Sequence, residues 1–172
     1  IMCVEKTEIT PTETYGQLSE RLSLIGANLI VKALKMLEKG DYALEKQSDE
    51  DVNVVRKINK EQARIDFSKS AKEIVDLVRG MNPAPIAYTQ VGDMKINVYL
   101  AEKATLNEEE NAGLKNAKYG EVLSDKVKRG LLVKCGDGAV KLLQVQAAGG
   151  KMISGNDFLN GRKVQKGQVF SC

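Results

Sequence analysis

The chain contains no histidine and no tryptophan, and aromatic side chains make up only 5% of its 172 residues. With so few aromatics, stacking of nucleic-acid bases on a broad aromatic platform is not expected. The three cysteines, Cys3, Cys135 and Cys172, are far apart and odd in number. With no histidine to accompany them they form neither a zinc pattern nor a disulfide framework, and they read as buried or incidental thiols of a reducing compartment. Prolines number three and no tract is compositionally biased, which argues against wholesale disorder. No apolar run approaches the roughly 20 residues needed to cross a bilayer. The opening IMCVEKTEIT lacks the basic segment and apolar core of a signal peptide, so a cytoplasmic protein without a membrane partner is the default expectation.

What is present is the composition of a globular protein, with 42% hydrophobic and 28% charged residues. The net charge of +3 is unremarkable, but its distribution is uneven. Residues 111–172 hold eleven Lys or Arg against four acids, a local excess of +7. Such an excess attracts a polyanion, because each neutralised phosphate releases condensed counterions; the alternative is a solvated, lysine-rich surface.

Thr10-Pro11-Thr12-Glu13 predicts a helix start, with Thr10 as N-cap, Pro11 in the first turn and Glu13 closing a capping box. Leu18, Leu22, Ile25, Leu29, Ala33 and Leu37 recur at helical steps, and Gly40 follows as the stop. This predicts a strand at residues 1–8 and an amphipathic helix over 11–39. Residues 41–67 change character, with an acidic cluster from Ser48 to Asp51, and read as an extended linker. Ser68 is expected to cap a second helix bearing Ala71, Ile74, Leu77 and Val78, ended by Gly80 and Asn82-Pro83-Ala84-Pro85. Arg79 either binds phosphate or fixes that helix end. Strand-like segments follow at 86–91, 94–101, 119–123, 131–135, 140–146 and 168–170, with turn signals at Gly92-Asp93 and Gly136-Asp137-Gly138. Residues 108–116 read as an exposed loop or short helical insertion, and 155–160 as a short helix. The fold class expected is α+β, a helical N-terminal segment and linker followed by a small closed β-barrel.

Neither Gly136-Asp137-Gly138 nor Gly149-Gly150-Lys151 meets the phosphate-loop pattern. Asp66 has no partner placed to make it a general base and reads as a helix-start hydrogen-bond acceptor.

Arg64-Ile65-Asp66-Phe67-Ser68-Lys69-Ser70-Ala71, then Arg79-Gly80-Met81-Asn82-Pro83-Ala84-Pro85-Ile86-Ala87-Tyr88-Thr89, resemble the methionyl-tRNA formyltransferase family. The likeness runs from Ile9-Thr10-Pro11 to Met152-Ile153-Ser154. The resemblance implies three parts: 1–40 as the end of a Rossmann-like catalytic domain, 41–67 as linker, and 68–172 as an OB-like domain that touches tRNA. It implies transfer of a formyl group from 10-formyltetrahydrofolate to the amino group of methionyl initiator tRNA, in translation initiation. The catalytic Asn, His and Asp of that family have no counterpart in these residues, so this piece is expected to be inactive alone, to bind no folate and to supply tRNA docking. The tRNA contacts implied are Arg56, Lys57, Lys60 and Arg64 in and near the linker, and Lys126, Lys128, Arg129, Lys151, Arg162 and Lys163 on the barrel. Three features depart from the family pattern. Ala84 and Ile86 stand where it places an aromatic or small residue and a Gly, and one residue is inserted between Met152 and Ser154. Two alternatives are a sugar-nucleotide or other folate-dependent formyltransferase and a stand-alone OB-type RNA-binding module. An apolar helix left without its sheet is expected to promote self-association through residues 11–39.

Overall fold

The computed structural model describes every residue except Asp51, Asp125, Arg162 and Cys172, and the chain divides into two units, residues 1–58 and 59–172. In the first unit, helix α1 spans Tyr15–Lys39. Its capping box is Thr14 with Gln17: the Gln17 amide donates to Thr14 Oγ1 at 3.3 Å, and the Thr14 amide donates to Gln17 Oε1 at 2.9 Å. The helix therefore starts four residues later than Thr10 and Glu13 suggest. Glu13 Oε2 does accept the Thr10 amide, at 3.4 Å, but both carboxylate oxygens are held mainly by the Arg21 guanidinium, at 2.9 and 2.7 Å. Arg21 also donates to Thr7 Oγ1 and to the Glu8 carbonyl, which fastens the incoming segment to the helix. Gly40 ends α1 in the left-handed conformation, φ 67°, where a Cβ would be strained.

The strand expected at residues 1–8 does not form among the described residues. The segment has no ladder neighbour, and Ile1 exchanges backbone hydrogen bonds with Glu45 alone, at 2.5 and 2.9 Å. None of α1 is buried. Leu18, Ile25, Leu29 and Ala33 are half-buried, while Leu22, Leu24, Ile30, Leu34 and Leu37 are exposed.

The second unit opens with residues that the sequence reading assigns to the linker. Asn59 and Gln62 cap each other across a 3-10 turn at Glu61–Ala63, and the Ile65 amide donates to the Tyr88 carbonyl at 2.9 Å. Ala63, Ile65 and Phe67 are at most 1% exposed. Their period-two spacing, with Arg64 exposed and Asp66 half-buried between them, is that of an edge segment with one face in the core.

Helix α2, Ala71–Gly80, is capped by Ser70 and not Ser68: Ser70 Oγ accepts the Glu73 amide at 3.2 Å, and Glu73 Oε2 accepts the Ser70 amide at 2.9 Å. Ser68 instead turns back on Asp66, donating amide and hydroxyl to its Oδ1 at 2.9 and 2.6 Å. The open Ala71 amide is satisfied from far along the chain, by Asp137 Oδ1 at 2.6 Å. Gly136 permits this approach, since a Cβ there would collide with the Ser68 and Lys69 carbonyl oxygens. Asp137→Ala is expected to lower the unfolding free energy by about 1 kcal/mol, the usual cost of a lost helix cap, as read from a urea melt. Ile86 follows α2 at φ 69°, a conformation unfavourable for a β-branched residue.

Five antiparallel strands form one sheet: β1 Ala87–Val91, β2 Met94–Lys103, β3 Leu131–Cys135, β4 Gly138–Ala147 and β5 Ile153–Ser154, ordered β1-β2-β4-β3 with β5 also on β4. Turns at Gly92-Asp93 and Gly136-Asp137 join the two hairpins, as the sequence indicates. The sheet is open, not the closed barrel expected, because no ladder joins β1 to β3. Segments 119–123 and 168–170 contribute single bridges, Val122 to Val133 and Glu121 to Val169, and Ser171 bridges to Gln90. Gly120 at φ 82° and Gly167 at φ 88° interrupt the extended backbone on both segments and keep them short. The core lies between the sheet and α2, centred on Phe67, Phe158 and Phe170. Helix α3, Glu108–Gly113, and the loops beside it cover a smaller cluster of Leu123, Leu132 and Ala139. Helix α4, Gly155–Asn160, buries Phe158 and Leu159.

Candidate nucleic-acid interface

A phosphate is neutralised by a cation that is exposed and not already committed to an acid, so each basic residue is placed by its burial and its partners. Arg56 and Lys57 are exposed in the first unit, and Lys60 and Arg64 are exposed at the start of the second. Arg64 bridges to Tyr88 and therefore borders β1. Lys126, Lys128 and Arg129 form a second group at the 3-10 turn Val127–Arg129. Lys151 precedes β5 and Lys163 follows α4, both exposed. Arg162 lies outside the described residues.

Helix α4 packs against the Val127–Arg129 turn as well as β3, β4 and β5. The turn group and the lysines flanking α4 thus share one support, whereas Arg64 lies at the other end of the strand order. Gly155 sets how closely α4 approaches the sheet, since a Cβ there would collide with the Leu142 carbonyl.

The ion pairs divide these cations. Arg129 donates Nε to Glu110 Oε1 at 2.8 Å, and Nη2 to Glu110 Oε2 at 2.5 Å and to the Thr105 carbonyl at 2.9 Å. This bidentate fork holds a carboxylate that is 8% exposed. Lys126 meets Glu109 at 3.3 Å, with both side chains well exposed, a pairing that contributes little. Lys128, Lys151 and Lys163 are exposed and form no ion pair among the described residues. The short helical insertion that the sequence allows at 108–116, beside an exposed loop, is present as α3, but the burial of Glu110 within it was not foreseen. Its signal was Asn107-Glu108-Glu109-Glu110, a capping box in which the Glu110 amide donates to Asn107 Oδ1 at 2.8 Å.

The Arg129 guanidinium holds the Glu110 carboxyl below the usual carboxylate range, against the opposing effect of its burial. Ser70 does the same for Glu73, Lys72 for Asp76 and the Ala71 amide for Asp137. A carboxyl whose folded pKa is depressed contributes stability that is full above its unfolded value, about 3.9–4.3. That contribution is lost as pH falls through the folded pKa. The urea midpoint is therefore expected to drop below about pH 4.3, and Glu110→Gln is expected to flatten that acid limb while starting from a lower midpoint at neutral pH.

Among the described residues no group of three or more Cys, Asp or Glu is placed to hold a metal ion, and no helix is long and apolar enough to cross a membrane. Comparison with known proteins places this geometry in a family. Residues 57–163 match the formyl transferase C-terminal domain. Methionyl-tRNA formyltransferase from Brucella ovis is 39% identical over 170 residues, which are 96% of this chain and 51% of that protein. The enzyme of the same name from Brucella canis matches to the same extent, also at 39% identity. The chain thus spans about half the length of these curated relatives. Among solved structures, a variant of HypX from Aquifex aeolicus matches with a TM-score of 0.60 at 17% identity, over 96% of this chain and 31% of that one. HypX in complex with tetrahydrofolic acid matches with a TM-score of 0.53 at 18% identity, over 83% of this chain and 26% of that one. At such identities the likeness is one of fold. Because the domain match takes in nearly all of the second unit, the chain belongs to the formyl transferase C-terminal domain family.

Proposed function

We propose that these residues correspond to the C-terminal half of a methionyl-tRNA formyltransferase and supply its docking surface for initiator methionyl-tRNA. The formyl donor of the whole enzyme is 10-formyltetrahydrofolate, and the acceptor is the methionine amino group. The observation that carries this reading is 39% identity sustained over 96% of the chain to proteins of that name. In this reading the first unit ends a catalytic domain, and the second is an OB-like module. The bridges that continue from β3 through residues 121–122 and 169–171 to β1 favour that description.

Attack of a neutral amine on a formyl carbon needs a base and a group that stabilises the developing oxyanion. The 172 residues contain no histidine to serve as that base. Their contribution is positioning: exposed Lys128, Lys151 and Lys163 around α4 meet phosphates, which orients the tRNA without reading its sequence. Fluorescence anisotropy with labelled initiator tRNA at low salt is expected to register binding that a sugar nucleotide does not compete away. An assay with 10-formyltetrahydrofolate and methionyl-tRNA is expected to give no turnover from these residues alone. Competition by the sugar nucleotide would favour the sugar-nucleotide formyltransferases instead, and turnover would sink the assignment to a docking role.

A further inference from the structure

The outward face of the β1-β2-β4 sheet is built from residues that an idle solvated surface does not require. Alternation along β1 and β2 buries Ala87, Thr89, Ile96 and Val98 and turns Tyr88, Lys95, Asn97 and Tyr99 to the other side. The outward positions 88, 90, 95, 97, 99, 144 and 146 carry no acid. Register aligns Tyr88 with Asn97 and Asn97 with Gln146, so one row crosses three strands. The Tyr99 hydroxyl donates to Gln146 Oε1 at 2.6 Å, and Gln146 Nε2 donates to the Gly150 carbonyl at 2.9 Å. That relay extends the Tyr99 side chain across to the neighbouring strand and fixes it there before any ligand arrives. Lys95 Nζ stands 4.1 Å from the Tyr88 ring centroid, and Arg64 borders the same tyrosine.

We infer that this face is a second RNA contact, separate from the lysines around α4, and that it takes an unpaired strand. Tyr99 is the stacking platform held by Gln146, Asn97 offers its amide oxygen to a base edge, and Lys95 and Arg64 meet the phosphates beside Tyr88. A duplex shields its bases and is held mainly through its backbone, for which amides and a pinned ring are of little use. An unpaired strand exposes the base faces that stack on aromatic rings and the edges that amides can bond. Tyr88 packs against the core and carries Lys95 over its ring, so the platform is Tyr99 alone, which suits a segment of a few nucleotides and not a long track. The inference rests on RNA being the partner of this chain.

The absence of tryptophan aids the test, because emission then comes from the five tyrosines alone and the Tyr99 variants assign the share that stacking quenches. The full chain is titrated with a single-stranded oligoribonucleotide of six residues and with a blunt RNA duplex of equal phosphate number. The single strand is expected to bind more tightly at equal salt and to quench tyrosine emission. Tyr99→Ala is expected to weaken it roughly 5- to 150-fold, the range for loss of one stacked base. Tyr99→Phe, which keeps the ring and serves as the folding control, is expected to lose far less. Equal binding of strand and duplex without quenching, or wild-type affinity in Tyr99→Ala, would overturn the inference. If RNA binding persists and responds only to Lys128, Lys151 and Lys163, tRNA docking stands and this face is excluded. If no RNA is bound at all, both readings fall together.

Discussion

A chain shortened to begin at Asn59 is expected to fold and to sediment as a monomer, whereas one shortened to begin at Ser68 is expected to lose its cooperative unfolding transition. The nine residues between these starts bring Ala63, Ile65 and Phe67 into the core, each at most 1% exposed. Phe67 faces Phe170 at a centroid distance of 6.1 Å, so its loss also bares the closing segment of the sheet. Truncating a buried phenylalanine costs about 3–5 kcal/mol and a buried isoleucine about 2–5 kcal/mol. Together these approach the whole stability of an ordinary domain, about 5–15 kcal/mol. Phe67→Ala alone should consume much of that margin. The 172-residue chain, by contrast, presents exposed Leu22, Leu24, Ile30, Leu34 and Leu37 on α1, and we expect it to self-associate through them. Sedimentation and urea melts of the three chains check this: a folded chain starting at Ser68 would remove residues 59–67 from the core, and a monomeric 172-residue chain would rule out association through α1.

tRNA affinity is expected to fall with a log-log salt slope of about −3 to −5, if four to six phosphates are neutralised. Between 50 and 200 mM salt that slope amounts to a loss of roughly 60- to 1,000-fold. The ion pairs predict which substitutions change it. Replacing Lys128, Lys151 and Lys163 together by Ala should flatten the slope by about 2 to 3, because each is exposed and pairs with no acid among the described residues. Arg129→Ala should leave the slope nearly unchanged and lower the melting temperature, since it strands Glu110 in a site that is 8% exposed. Anisotropy titrations at four salt concentrations separate the two outcomes. An unchanged slope in the triple variant would reduce the basic surface to ordinary solvation.

The helices, both hairpins and their turns could be read from the sequence because their signals are local: leucines at helical steps before Gly40, and alternating strands around Gly92-Asp93 and Gly136-Asp137. Errors arose where two local signals competed and a distant residue decided. Thr10 with Glu13 and Thr14 with Gln17 offer adjacent caps; the Thr10 amide reaches Glu13, which Arg21 also holds, but only the Thr14 box is complete and starts the helix. Ser68 and Ser70 offer another such choice, and Asp137 docks on the helix start that Ser70 caps. Closure of the sheet was misjudged because strand propensity at 119–123 and 168–170 does not reveal how Gly120 and Gly167 shorten the pairing. At the candidate interface the charges were legible but their commitments were not. Arg129 and Lys128 are neighbours of the same sign, and only the fold places Glu110 against one of them.

The single-bridge arc also determines how the second unit opens on the timescale of hydrogen exchange. β4 is paired on one edge with β2 and on the other with β3 and β5, so its amides should be the last to take up deuterium. Residues 120–123 and 168–171 are bonded to β3, to β1 and to each other, as in Gly120 to Lys134 at 2.9 Å and Val122 to Gln168, Phe170 to Gly120 and Ser171 to Gln90, each 2.8 Å, but these bonds build no continuous ladder. Deuterium should enter there first. Because Phe170 rides on that arc at 1% exposure, each such opening briefly wets the aromatic pair at the centre of the core while the ladders on either side stay closed.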